Sequence, residues 1–188
     1  MPRKIGHPDC GAPHRVDRRF TIKALALGGV ALLVGGIATP AGAADQAGWR
    51  WCRKCQGMFY ALDASGRLGL CPAGGPHDPA ASAHYFVRMA ANIDGVQQGG
   101  WSWCPECMGL YYSGGRGFLG VCPAGGTHTN PSGGYVAILG DDGPRQQGGW
   151  RWCSKCMGMF YGQSDGGVCP SDRRAHDGST SIRYAALR

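Results

Sequence analysis

The sequence predicts an all-β protein made of three repeated small units. Three observations carry that prediction. A motif recurs with a period of about fifty residues, the mark of a repeated structural unit. Residues 44–188 are rich in glycine and show no long apolar pattern of helical period. The apolar runs they do contain are short, aromatic and bounded by turn residues, as strands are.

The motif opens as "GWRWCRKCQGMFY" (Gly48 to Tyr60), "GWSWCPECMGLYY" (Gly100 to Tyr112) and "GWRWCSKCMGMFY" (Gly149 to Tyr161). All six tryptophans of the chain lie in these stretches. Each copy continues to a third cysteine and a histidine: "CPAGGPH" (Cys71 to His77), "CPAGGTH" (Cys122 to His128) and "CPSDRRAH" (Cys169 to His176), the last one residue longer. Each ends in a run around Tyr85, Tyr135 or Tyr184, and "QQGGW" joins successive copies. The repeats are therefore placed at 44–95, 96–145 and 146–188.

Residues 1–43 stand outside this pattern. "DRRFTIKALALGGVALLVGGIATPAGAA" has a basic start, a short apolar stretch and a small-residue exit, the anatomy of an export signal. The apolar stretch is shorter than the roughly 20 residues that a membrane span needs. No stable span is expected once the signal is removed, with cleavage after Ala43 or one residue later. Asp17-Arg18-Arg19-Phe20-Thr21-Ile22-Lys23 resembles a twin-arginine export motif in its arginine pair and Lys23, with Ile22 a near match and Asp17 and Thr21 departures. A secreted or extracytoplasmic location follows, with ordinary secretion as the alternative route. The signal also holds six Lys/Arg against two Asp, so residues 44–188 carry only +3 of the chain's +7. That gives no support for nucleic-acid binding.

The chain has ten cysteines; Cys10 lies in the signal and the other nine divide as three per repeat. An exported, cysteine-rich chain favours disulfides, but three per unit cannot pair within it. One histidine per repeat closes the count. Cys52, Cys55, Cys71 and His77 form one set, Cys104, Cys107, Cys122 and His128 the next, and Cys153, Cys156, Cys169 and His176 the third. Three thiolates and an imidazole are a closed tetrahedral zinc set, so three structural zinc ions are expected, with disulfides as the alternative. Gly57, Gly109 and Gly158 are expected to supply the positive φ of each C-x-x-C turn. The loops from second to third cysteine hold 15, 14 and 12 residues, a variation that loop closure tolerates.

Trp-x-Trp places both rings on one face of a strand. "MFY" or "LYY" reads as its hairpin partner and the tyrosine run as a further strand. A unit this small has little core and calls for a staple such as a metal. The aromatics read either as core or, in part, as exposed platforms for sugar rings or quaternary ammonium groups. Trp49, Trp101 and Trp150, each preceded by glycine, are the candidate ligand-binding set. Three such units would close with pseudo-threefold symmetry, as in a trefoil or prism, because closure leaves few open strand edges. The alternative is three serial zinc modules.

Little remains for catalysis. His84 has no counterpart in the other copies. Gly162-Gln163-Ser164-Asp165-Gly166 matches G-x-S-x-G but lacks the strand and helix of a nucleophile elbow, and reads as a turn.

The W-x-W-C-x-x-C-x-G-x-x-Y … C-P-A-G-G-x-H … Y pattern resembles a tandem repeat of secreted bacterial proteins, sometimes appended to other exported domains. Copies one and two match throughout, and copy three departs at "CPSDRRAH". The resemblance implies a secreted repeat module without an assigned activity. The sequence reading is thus a secreted, non-enzymatic, zinc-stabilised binding protein with a glycan or cell-wall ligand. The alternatives are a hydrolase or inhibitor acting on extracellular polymers, or a purely structural module.

Overall fold

The computed structural model describes residues 44–89, 96–115, 117–129 and 132–188. Residues 1–43, and with them the expectation of an export signal, lie outside them. Nine strands and no helix are found among the described residues: β1 (Ala44–Trp51), β2 (Met58–Tyr60), β3 (Tyr85–Met89), β4 (Gln97–Trp103), β5 (Leu110–Tyr112), β6 (Ser132–Leu139), β7 (Gln146–Trp152), β8 (Met159–Tyr161) and β9 (Tyr184–Leu187). Each repeat is long, short, long, and its first strand pairs antiparallel with both others. "QQGGW" is not a linker: it is the body of β4 and of β7.

The register explains the tryptophans. Trp49 pairs with Tyr60 on one side and Tyr85 on the other; Trp101 does so with Tyr112 and Tyr135, and Trp150 with Tyr161 and Tyr184. Just before each tryptophan the outer ladder is interrupted by a bulge. Gly48, Gly100 and Gly149 occupy it at φ of 101°, 84° and 84°, the left-handed geometry that a bulge assigns to glycine. The bulge turns the following ring inward, so Trp49, Trp101 and Trp150 are all 0% exposed. The expectation that these three are exposed platforms is overturned: the preceding glycine marks a bulge, and the rings are the centre of the core.

The repeats close on one another as a pinwheel. Arg88 and Met89 at the end of β3 pair with Val136 and Tyr135 in the middle of β6. Ile138 and Leu139 at the end of β6 pair with Ala185 and Tyr184 of β9. Leu187 of β9 returns to Phe86 of β3. The same register recurs at all three joints, which is pseudo-threefold closure rather than a row of serial modules. The buried aromatics follow the same cycle. Trp49 meets Tyr135 edge-on, Trp101 meets Tyr184 and Trp150 meets Tyr85, at centroid distances of 5.5, 5.3 and 5.3 Å. Each unit thus completes its core with a ring from the next, which offsets the small core of a unit this size.

Candidate metal centres

Each metal-ligating set is built from two turns of one repeat. The first turn carries C-x-x-C and is closed by Cys52 N–H to Gly57 O, Cys104 N–H to Gly109 O and Cys153 N–H to Gly158 O, at 2.9, 3.1 and 3.0 Å. The second is closed by Cys71 N–H to Gly75 O, Cys122 N–H to Gly126 O and Cys169 N–H to Arg174 O, at 2.9, 3.0 and 2.7 Å. The left-handed residue of the first turn is not the glycine expected there. It is the residue before it: Gln56, Met108 and Met157, at φ of 65°, 60° and 64°. The glycine serves a different need. A Cβ on Gly57, Gly109 or Gly158 would press on Sγ of Cys55, Cys107 or Cys156 at 3.4, 3.3 and 3.4 Å.

The twelve predicted ligands converge as three groups, in each of which the donor atoms lie within 4.8 Å of one another. All are buried except His176, which is half-buried. Sγ of Cys52 and Cys71, of Cys104 and Cys122, and of Cys153 and Cys169 are each 3.9 Å apart. His77, His128 and His176 present Nδ1 to the second cysteine's sulfur at 3.5, 3.5 and 3.4 Å. All nine described cysteines are free, with sulfurs far beyond the roughly 2.05 Å of a disulfide. The longer third turn still delivers its histidine: Arg173 takes φ of 62° and absorbs the extra residue.

The groups around the ligands set their state. His77 Nε2 lies 3.1 Å from Cys107 O, and His128 Nε2 lies 3.2 Å from Cys156 O. A carbonyl only accepts, so Nε2 carries the proton and Nδ1 is left free to ligate. Phe59, Tyr111 and Phe160 stack on the three imidazoles at centroid distances of 4.6, 4.4 and 4.8 Å and fix their planes. Asp78 N–H and Asp177 N–H donate to Sγ of Cys52 and Cys153 at 3.4 Å.

The thiols favour one charge per site. Cys52, Cys104 and Cys153 are pushed well down because the neighbouring thiols donate to them. Cys55, Cys107 and Cys156 are pushed well up by those same partners and by burial. Cys71 is also raised, and Cys122 and Cys169 are raised to about 11. Three thiolates in one buried group therefore need a cation to offset their repulsion.

Several supporting residues were not singled out from the sequence. Gly69, Gly120 and Gly167 stand two residues before the third cysteine with positive φ, and a Cβ on each would overlap the carbonyl oxygen of Cys107, Cys156 or Cys55 in the next repeat. The recurring "GLC" and "GVC" were the available signal. Lys54 Nζ donates to Gly74 O and Pro76 O, both at 2.7 Å, and Lys155 Nζ holds Asp172 and Ala175 O at 2.9 and 2.8 Å. Each lysine clamps the second turn against the first. Through the cyclic contacts the three sites gather round the pseudo-threefold axis, where their second cysteines and histidines line one small cavity of about 40 Å³.

Four protein ligands in each group leave no open coordination position for a substrate. Ser164 Oγ donates to Gln56 Oε1 at 2.7 Å, within a turn, and has no imidazole partner. His84 is exposed. The arrangement is that of a closed Cys3His set suited to a metal ion. No protein-family profile, curated protein or solved structure matches the chain.

Proposed function

We propose that residues 44–188 form a secreted, zinc-stabilised scaffold that binds an extracellular or cell-surface glycan and has no catalytic machinery of its own. Zinc is favoured by the donor set. A tetrahedral ion with Zn–S of about 2.3 Å separates its sulfurs by about 3.8 Å, and the sulfurs here stand 3.9 Å apart. Cysteine and histidine are also the ligands this borderline-soft ion prefers. A twin-arginine route, which exports folded proteins, would let zinc load in a reducing cytoplasm and keep the thiols from pairing later.

The observation that carries the binding reading is the placement of the second tryptophan of each motif. Trp51, Trp103 and Trp152 are half-buried and, like Tyr60, Tyr112 and Tyr161, pack against the rim of the core. They replace Trp49, Trp101 and Trp150 as the rings able to meet a sugar face. Similar rims at three joints suit a repetitive polymer, because linked weak sites gain avidity. The test is retention of the folded, metal-loaded protein on insoluble polysaccharide and on bacterial wall, released by soluble oligosaccharide. Full recovery in the unbound fraction, together with a blank glycan array, would reject the reading and leave a structural module.

A further inference from the structure

The three joints between repeats are not equivalent. At the first, Tyr60 packs edge-on against Trp103 with centroids 6.0 Å apart, and at the second Tyr112 packs against Trp152 at 6.3 Å. The third joint, between the last repeat and the first, should pair Tyr161 with Trp51. Among the described residues no ring contact joins them. They stand instead on the walls of one cleft of about 290 Å³, together with Ala81, Tyr85, Gln147 and Arg188.

Position 56 also differs. The left-handed residue of the C-x-x-C turn is methionine in copies two and three but glutamine in copy one. The Trp51 indole N–H donates to Gln56 Oε1 at 3.0 Å, as the Trp152 indole N–H does to Met157 Sδ at 3.2 Å. Gln56 Oε1 alone also accepts the Ser164 hydroxyl of the last repeat, at 2.7 Å. Ala81, on the cleft wall, has φ of 66°, a conformation costly for a residue with a Cβ and of the kind that collects at binding sites.

The chemistry of the cleft is mixed. Trp51 and Tyr161 offer two half-buried aromatic faces. Tyr85 lines the cleft too, its hydroxyl donating to Gln147 Oε1 at 2.5 Å, which leaves the Gln147 amide nitrogen as a donor. Arg188 supplies a guanidinium, and its backbone is fixed by a hydrogen bond to Arg145 O at 2.9 Å. Arg188 also lines an adjoining cavity of about 230 Å³ with Arg145 and Asp45. The Asp45 carboxylate is paired with Arg88 at 3.0 Å, which leaves Arg145 and Arg188 as the side-chain cations of that wall. The first cleft, near the lower end of the roughly 300–1,000 Å³ of ligand pockets, has the size for one sugar ring. Aromatic faces, an amide donor and a guanidinium are the groups that recognise a pyranose bearing a carboxylate.

We propose that the cleft between the last and first repeats is a binding site for an acidic sugar, with Trp51 and Tyr161 as its walls and Arg188 as the carboxylate partner. This rests on the glycan-binding reading and names its ligand class and its place. The test is calorimetric titration of the metal-loaded protein with digalacturonate and with its dimethyl ester, which keeps the ring and removes the charge. Digalacturonate should bind about tenfold tighter than the ester, and Arg188→Gln should remove that preference. Tyr161→Ala should weaken both ligands, and by clearly more than Tyr112→Ala does at a closed joint. Equal affinity for acid and ester would overturn the acidic class. Binding that survives Tyr161→Ala in protein of unchanged metal content would remove the cleft and leave the broader glycan reading standing. Folded protein that binds neither probe, yet is retained on neutral polysaccharide, would overturn this site alone; no retention on any glycan would end both.

Discussion

His77 Nε2 lies 3.1 Å from the carbonyl oxygen of Cys107, so the residue that closes the first site also ties it to the turn of the second. His128 repeats the link to Cys156. The proposed metals thus staple the joints between repeats as well as the hairpins within them. A His77→Ala change should therefore damage the second repeat too. Hydrogen exchange should show lost protection in residues 104–109 along with residues 52–77. Loss confined to the first repeat would mean that the joint is held by packing alone.

The third site lacks this link. Nε2 of His176 is buried without a hydrogen-bond partner. A partner at the far nitrogen of a ligating histidine typically accounts for 10–100-fold in metal affinity. The third site is expected to release its ion first. Titration with a graded chelator should give one early equivalent and two later ones, and His176→Ala should abolish the early phase. Three indistinguishable equivalents would show that the unpartnered nitrogen is of no consequence.

Gly120 tests the close approach between repeats. It has φ of 79°, and a Cβ there would overlap the Cys156 carbonyl oxygen. Gly120→Ala should cost more than about 2–3 kcal/mol, because neither backbone can give way without disturbing a metal turn. Gly125 also has positive φ, at 106°, but open space around it. Gly125→Ala should cost only the roughly 1–2 kcal/mol of the left-handed conformation. Denaturant midpoints of the two variants make the comparison, and equal losses would refute the steric account.

The metal ligands were legible in the sequence because their chemistry repeats. Three cysteines and one histidine per copy leave little choice of partner once disulfide pairing fails within a unit. The strands were legible from Trp-x-Trp and the tyrosine runs, whose period of two is set by the pleat. The direction of Trp49, Trp101 and Trp150 was not. A glycine before a ring signals bulge and exposed turn alike, and only the pairing with two tyrosines decides between them. The left-handed position at Gln56, Met108 and Met157 was hidden for a related reason. The neighbouring glycine looked suited to it, whereas its true constraint is the space beside a cysteine sulfur. The open joint at Trp51 and Tyr161 depends on contacts between the first and last repeats, which no local pattern records.

Trp101→Ala follows from the corrected placement. The ring is fully buried and packs edge-on against Tyr112 and Tyr184. Its removal should cost about 3–5 kcal/mol, and glycan retention should fall only in step with the folded fraction. Weakened retention by a variant of unaltered melting temperature would contradict the core assignment.

Alkaline pH probes the same layer. Burial raises the Tyr184 phenol from 10.0 to about 12. The unfolded chain ionises first, so the contribution of the neutral phenol is complete below about pH 10 and is lost as pH rises towards 12. Tyr184→Phe should flatten part of the fall in urea midpoint between about pH 10 and 12. Parallel curves for the two proteins would show that the buried phenol does not carry this dependence.

Metal content tests the central claim most directly. Native mass spectrometry of the protein purified from its own cells, with thiol counting after denaturation in chelator, reads both ions and sulfur state at once. The account predicts three zinc ions per chain, and nine cysteines in residues 44–188 that become titratable only when the metal is removed. A folded, metal-free protein whose cysteines are joined in disulfides would contradict it.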